Sequence, residues 1–212
     1  PFIRTEACPR RDNTRMASTT NPEDEALLKE SASWPLDRRI SHSNWRVRSA
    51  AFDFVLDQTG AHAATKHALE QNVGLDASTC LVLLASSVGD PNANVMDRAL
   101  DAFFAYLDAL GTILVFVEGR ESFDEIFVRA AQVIMKPLST KCLKASKRTT
   151  LVKSIGVCGA LVEVDQGMAV MQGLVEGGFS HKVPKAVAAA LEAALEIVRG
   201  FYGTGEYDQR RM

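Results

Sequence analysis

Apolar residues recur at every third or fourth position along most of the chain from residue 23 to residue 201. This spacing is the repeat of an α-helix, and the alternation typical of β-strands is nearly absent. The pattern predicts helices over residues 23–40, 44–59, 61–73, 76–88, 94–110, 123–143, 148–164, 167–179 and 183–201. We therefore expect an all-α fold in which most helices form pairs.

Helix boundaries carry the expected start and stop signals. Polar residues placed to cap the second helix of each pair are Ser43 or Asn44, residues 90–94, Ser146 and Ser180. Pro184 falls in the first turn of the last helix, where a missing amide hydrogen costs little. Pro137 lies inside the long 123–143 segment, so we expect that helix to kink or break there.

The second helices of the pairs repeat one another. Four apolar positions recur after 48 residues: Val47, Ala51, Phe52 and Val55 match Val95, Ala99, Leu100 and Phe103. The last helix repeats three of these positions 88 residues after Val95, Ala99 and Phe103. The matching residues are Val183, Val187 and Leu191. A helical hairpin that recurs every 40–47 residues or so is typical of HEAT and armadillo solenoids. Stacking of such hairpins supplies a core that one hairpin lacks. We predict an α-solenoid of four HEAT-like hairpins, with Phe103, Phe104 and Tyr106 in its core.

The solenoid domain is expected to span residues 23–203. Residues 1–22 show no helical repeat and are expected to form a disordered or artefactual leader, and residues 204–212 an exit linker. Gly173, Gly177 and Gly178 are expected to allow close packing of the helix that ends there. No apolar run reaches the roughly 20 residues of a membrane span.

The composition argues against catalysis and against nucleic-acid binding. The net charge is only −2, and the aromatic residues do not alternate with the cations as they do in nucleic-acid binders. The histidines are scattered, without acidic or thiol partners at ligand spacing, at positions 42, 62, 67 and 181. Four cysteines without close pairing indicate buried thiols: Cys8, Cys80, Cys142 and Cys158. We expect no enzymatic activity, no metal, no cofactor and no small-molecule substrate.

Trp45 is a large aromatic residue in a polar segment, at the start of a predicted helix. Either it packs within its turn, or it is an exposed anchor for a partner. The turns inside the hairpins of a solenoid lie along one edge, and here three of the four contain cations. Cations at a helix N-terminus cost roughly 0.3–1 kcal/mol each, so their recurrence favours a docking edge for an anionic partner.

The turns also resemble those of a known family. The matching segments are Trp45, Val-Gly-Asp-Pro-Asn-Ala-Asn at 88–94, Lys-Cys-Leu at 141–143 ahead of Lys147 and Arg148, and His-Lys-Val-Pro-Lys-Ala-Val at 181–187. They are similar to the TOG domain, the tubulin-binding unit of microtubule polymerases of the ch-TOG type, over about residues 35–202.

The resemblance implies a paddle-shaped domain that grips one curved αβ-tubulin dimer through its turns. In that family the tryptophan of the first turn packs on β-tubulin, and the basic residues face the acidic tubulin surface. The tubulin-binding residues implied here are Trp45, Arg46, Val88, Asn92, Lys147, Arg148, Lys182 and Lys185. A location in the cytoplasm is also implied, on microtubules, spindle poles or the centrosome, within a protein that promotes microtubule growth.

The chain departs from the family in having four hairpins where TOG domains have six. Contacts of the fifth and sixth repeats are therefore not assigned, and the fourth hairpin is expected to carry an apolar end face. The alternative hypothesis is a general HEAT-repeat scaffold, of the transport-receptor or phosphatase-scaffold type, that binds partners on its concave helical face. A nucleic-acid binder is a more distant alternative.

Overall fold

The computed structural model describes residues 21–60, 66–113 and 124–202. Its described helices are α1 (Pro22–Ser31), α2 (Leu36–Ile40), α3 (Trp45–Gly60), α4 (Lys66–Val73), α5 (Ala77–Ser87), α6 (Ala93–Ile113), α7 (Asp124–Pro137), α8 (Arg148–Glu163), α9 (Gly167–Gly173) and α10 (Pro184–Tyr202). No strand occurs within these ranges, which confirms the all-α prediction. The predicted leader and exit linker lie almost wholly outside the described residues.

The helices that the structure describes form four hairpins in two layers. The hairpins are α2–α3, α5–α6, α7–α8 and α9–α10. In one layer, α7 packs between α5 and α9. In the other, α3, α6, α8 and α10 each pack against the next. Helix α4 bridges α3 and α5, and α1 packs on α3 outside the hairpins. This arrangement agrees with the predicted solenoid of helical hairpins.

The layer of second helices is built on a repeated pair of buried positions four residues apart. The first position of each pair is Val47, Val95, Thr150 and Ala186, and the second is Ala51, Ala99, Ser154 and Ala190. The second position always holds a small side chain, which lets neighbouring helices approach closely. The predicted match of Val183, Val187 and Leu191 to this pattern is wrong, because the buried positions of α10 lie three residues later.

Aromatic packing in α6 follows the prediction only in part. Phe103 and Tyr106 are fully buried, as expected. Phe104 is instead 42% exposed, on the side of α6 that faces away from the core. The prediction that all three aromatic residues belong to the core is therefore wrong for Phe104.

The helical path changes at Pro137, as predicted. Helix α7 ends at this proline and continues as a π-helical turn over Leu138–Cys142. Helix α9 also continues as a π-helical turn, over Leu174–Phe179, and the two π-helical turns pack against each other. Pro137 cannot donate the amide bond of a regular helix, so a wider turn is a natural way to continue past it.

Glycines permit the close approach of α9 and its π-helical turn to the neighbouring helices. A Cβ atom added at Gly173 would lie 2.6 Å from Cβ of Met135, and one at Gly178 would lie 2.5 Å from Cβ of Ala190. An added Cβ at Gly177 would overlap the side chain of Ser139. The predicted role of these glycines in close helix packing is confirmed.

The fourth hairpin exposes an apolar surface, as expected for its end face. The exposed side chains on α9, its π-helical turn and α10 include Met168, Met171, Val175, Leu191, Leu195 and Val198. None of the described helices is long and apolar enough to span a membrane.

The cysteines that the structure describes are buried free thiols. Burial raises the pKa of Cys80, Cys142 and Cys158 to about 12. These thiols remain protonated near neutral pH and are poor nucleophiles. Their predicted structural role is confirmed, and Cys8 lies outside the described residues.

Candidate partner-binding edge

The turns inside three of the four hairpins share a local hydrogen-bond motif. A side-chain acceptor in each of these turns binds the backbone amide two residues later, which tightens the turn before the second helix begins. These bonds join His42 Nδ1 to Asn44 N (3.0 Å), Asp90 Oδ1 to Asn92 N (2.8 Å) and His181 Nδ1 to Val183 N (3.0 Å). We call the four turns and the first helical residues after them, 41–46, 88–94, 143–149 and 180–185, the turn edge.

Helix caps in the first two turns follow the prediction, and those in the last two do not. Asn44 Oδ1 accepts from Arg46 N at 2.9 Å, and Asn92 repeats this bond at the start of α6. Ser146 does not cap α8, because the cap position is Lys147, which makes no side-chain cap bond. Ser180 donates backwards to the carbonyl oxygen of Val175 at 2.9 Å instead of capping α10.

Arg48 ties the first turn to the second. Its Nε and Nη2 donate to the two carboxylate oxygens of Asp90, at 2.7 and 3.0 Å. Its Nη1 donates to the carbonyl oxygens of His42 and Ser43, at 2.8 and 2.9 Å. A guanidinium with two planar donor pairs suits this bridge because it can bind a carboxylate and a turn at once.

The second turn is bonded in the same way to the third hairpin. Lys141 Nζ donates to the carbonyl oxygen of Gly89 at 2.7 Å. The thiol of Cys142 donates to the carbonyl oxygen of Val88 at 3.1 Å. The third and fourth turns follow the two π-helical turns, which pack together. The four turns therefore form one continuous edge.

Asp97 on α6 holds the start of α8. Its buried carboxylate accepts from Lys147 Nζ and from the hydroxyl of Thr150. Lys153 Nζ donates to the backbone carbonyl oxygen of Asp97 at 3.3 Å. Burial alone would raise the pKa of Asp97, but these bonds together lower it below the ordinary value. Asp97 is therefore ionised near neutral pH and fixes Lys147 in place.

The eight residues predicted to bind a partner fall into three groups. Trp45 is 41% exposed at the first residue of α3. Arg148, Lys182 and Lys185 are also exposed, and the structure shows no ion pair between them and any described residue. The remaining four have partners within the domain or lie inside it.

Arg46 and Lys147 form ion pairs with Asp24 and Asp97, so much of their charge is already balanced. Asn92 caps α6 through its side chain. Val88 is completely buried, and its carbonyl oxygen accepts from Cys142. Val88 therefore offers no side chain to a partner and acts as a packing residue.

Sequence reasoning missed several residues of the edge. The acidic partners Asp24, Asp90 and Asp97 come from 22, 42 and 50 residues away along the chain. Val183 was not among the predicted binding residues, yet it is 44% exposed in the fourth turn. The paired cations Arg46 and Lys147 lie in the first and third turns, and the unpaired cations Arg148, Lys182 and Lys185 lie in the third and fourth.

Nothing in the described ranges gathers three or more potential metal ligands. The arrangement is a linear polar surface with one aromatic side chain, suited to contact with another macromolecule.

Comparison with known proteins identifies the family of this chain. Residues 30–206 match the family model described as XMAP215/Dis1/CLASP, TOG domain. The chain is similar to "Protein MOR1" of Arabidopsis thaliana, with 28% identity over 186 residues, and to "Protein MOR1" of Oryza sativa subsp. japonica, with 27% identity over 179 residues. Each alignment covers 84% of this chain and 8% of the relative, so the chain spans a small part of their length. No solved structure gives a significant match. With most of its length covered by the family model, the chain belongs to the XMAP215/Dis1/CLASP TOG domain family.

Proposed function

We propose that this domain binds the αβ-tubulin dimer through its turn edge. Membership of the TOG family implies association with tubulin or microtubules, through a non-catalytic module. The observation that carries the proposal is the exposed indole of Trp45 on a largely polar edge, which otherwise exposes the smaller apolar side chain of Val183. Aromatic side chains at such positions often dominate the energy of an interface.

The charges of the edge support an acidic partner. Arg148, Lys182 and Lys185 are exposed in the third and fourth turns and lack ion pairs with the described residues. Unpaired cations at an interface rim attract an acidic surface and accelerate association. In the proposed complex, Trp45 packs on β-tubulin and these cations contact the same acidic dimer further along the edge.

The edge is also suited to selecting a curved dimer. The bonds from the first turn to the third hairpin, and the packing of the two π-helical turns, fix the distance from Trp45 to the cations of the last two turns. A partner that changes shape along its length can match a fixed edge in only one conformation. We propose that the domain holds unpolymerised tubulin in this way, within a longer microtubule-associated protein of the cytoskeleton that promotes microtubule growth.

The test compares two aromatic side chains of equal exposure. Trp45 on the turn edge is 41% exposed and Phe104 on the α6 surface is 42% exposed. Trp45→Ala should weaken tubulin binding by about 30-fold or more, which corresponds to roughly 2 kcal/mol. Phe104→Ala should leave the affinity within about twofold of the unmutated chain. Gel filtration with αβ-tubulin and titration of a dye-labelled chain would measure both effects.

Neutralising the unpaired cations tests the electrostatic half of the proposal. The combined variant Lys182→Gln and Lys185→Gln should weaken binding at low salt and reduce its dependence on salt concentration. Equal salt dependence in the variant and the unmutated chain would contradict the proposed role of the fourth turn.

A protein-binding scaffold that uses a helical face is the second candidate. The exposed apolar side chains of Phe104 on α6 and Val152 on α8 favour it. Scaffolds of this kind bind partners across the faces of stacked helices. Loss of tubulin binding on Phe104→Ala with normal binding by Trp45→Ala would assign the contact to this face and refute the turn-edge proposal.

A further inference from the structure

Helix α1 contributes a residue to the turn edge, although it lies outside the four hairpins. We propose that Asp24 on α1 is a positioning residue that holds Trp45, through Arg46, in the orientation that a partner meets. This inference rests on the proposed function, because it takes Trp45 as the contact with tubulin that Asp24 orients. Most of α1 also precedes residues 30–206, the segment that matches the family model.

The carboxylate of Asp24 joins α1 to the first turn through two bonds. One oxygen accepts from Arg46 Nη1, and the other accepts from Asn44 Nδ2 at 3.0 Å. The same Asn44 side chain caps α3 through the amide of Arg46 at 2.9 Å. Asp24 therefore fixes both the first turn and the side chain that follows Trp45.

Arg46 in turn lies beside the indole of Trp45. The guanidinium carbon is 5.5 Å from the centre of the Trp45 ring, within the range of a cation–π contact. The side chains of Asp24 and Arg46 are 27% and 26% exposed, so this pair is partly shielded from water. The guanidinium thus contacts both the carboxylate of Asp24 and the indole of Trp45.

This geometry changes the role assigned to Arg46. A cation whose charge is already balanced by Asp24 gains little from an acidic partner. The first turn then presents an oriented apolar surface, and the attraction to an anionic partner comes from Arg148, Lys182 and Lys185. Arg46→Gln should therefore reduce affinity without reducing the salt dependence of binding.

Residues of α1 and of the first turn share one patch of the surface. Asp24, Ser43, Asn44, Trp45 and Arg46 together line a shallow, open depression there. Its walls come from α1 and from the first turn together. A partner segment that packs on Trp45 would therefore also contact α1.

The experiment uses Trp45 as its own reporter. The chain contains two tryptophans, so Trp34→Phe leaves Trp45 as the single source of tryptophan fluorescence. In this background, Asp24→Asn should give faster fluorescence depolarisation and stronger acrylamide quenching of Trp45 in the absence of tubulin. Tubulin affinity of the dye-labelled chain should fall about 3- to 10-fold, because a mobile side chain must be ordered on binding.

Matched variants separate positioning from charge and from folding. Glu23→Gln removes the same charge from the same helical turn and should change neither the Trp45 signal nor the affinity. Asp24→Glu keeps the carboxylate and should restore most of the affinity. Thermal unfolding of each variant establishes that it remains folded.

The outcomes distinguish this inference from the proposed function. If Trp45→Ala weakens binding but Asp24→Asn changes neither Trp45 mobility nor affinity, the positioning role is refuted and the turn-edge proposal stands. Tighter binding by Asp24→Asn would also overturn it, because Asp24 would then be competing with the partner for Arg46. If Trp45→Ala has no effect, the turn-edge proposal fails, and the fluorescence of free Trp45 still decides whether Asp24 orients it.

Discussion

The bond between Arg48 and Asp90 is the clearest test of how the turn edge is held together. Arg48→Ala removes four hydrogen bonds, two to Asp90 and two to the carbonyl oxygens of His42 and Ser43. The two charged side chains are only 14% and 9% exposed, so water cannot fully replace the lost contacts.

The expected cost follows from the partners that remain. Removing one member of a buried ion pair typically costs about 3–5 kcal/mol. Asp90 still accepts from Asn92 N at 2.8 Å and keeps slight solvent access, so the lower end applies. We expect Arg48→Ala to reduce the free energy of unfolding by about 3 kcal/mol, or to lower the melting temperature by roughly 6–12 °C.

Urea denaturation followed by circular dichroism measures this change, and a double-mutant cycle isolates the pair. With Arg48→Ala, Asp90→Asn and the combined variant, we expect a coupling energy of about 1.5–3 kcal/mol. Arg98→Ala is the matched control. Arg98 Nε lies 3.4 Å from Asp53 Oδ1, and the two side chains are 41% and 49% exposed. Such an exposed pair should contribute at most about 1 kcal/mol. A coupling energy below about 0.5 kcal/mol for Arg48 and Asp90, or equal costs for Arg48→Ala and Arg98→Ala, would refute the reasoning.

Two further predictions concern packing and pH. Gly178→Ala should reduce stability by about 1–3 kcal/mol in urea denaturation, because its Cβ would lie 2.5 Å from that of Ala190. Gly156→Ala on α8 should instead stabilise by up to about 1 kcal/mol, since nothing lies within 4 Å of its Cβ; a loss of stability there would contradict the packing argument. The lowered pKa of Asp97 contributes stability above the ordinary value of 3.8, and this contribution is lost as the pH falls through the folded-state pKa. The stability gap between the unmutated chain and Asp97→Asn should therefore shrink in denaturation curves below about pH 4, and a constant gap would argue against the ionised state.

Helix content and hairpin order could be predicted from the sequence because both depend on local information. The period of apolar residues determines which segments are helical, and Pro137 marks a break through its own backbone chemistry. The exposed position of Trp45 was also predictable, since the residues around it in the chain are polar. These properties need no knowledge of which segments meet in the fold.

The register of the last helix could not be predicted from the same pattern. Helix α10 buries mainly alanines, such as Ala186 and Ala190, and exposes Leu191 and Leu195. A pattern based on large apolar residues therefore follows the wrong face of the helix. The size limit comes from the close approach of neighbouring helices, as where Gly178 meets the Cβ atom of Ala190, and that contact is not encoded locally.

The sequence alone also could not predict which cations of the turn edge form ion pairs. Arg46 and Lys147 look like free basic residues in their turns, but each meets an aspartate from a distant segment. Whether a cation is free or paired depends on tertiary contacts between residues far apart in the chain. The exposed cations of the edge without an ion pair to a described residue are Lys144, Arg148, Lys182 and Lys185.

The bonds that run from turn to turn have a consequence for binding kinetics. Arg48, Lys141 and Cys142 order the backbone of the edge while the chain folds, before any partner arrives. A preorganised surface loses little conformational entropy on association. If the proposed complex forms, its association would be limited by diffusional encounter, and the exposed cations would accelerate that step. Its lifetime would depend on how slowly the indole of Trp45 leaves its contact.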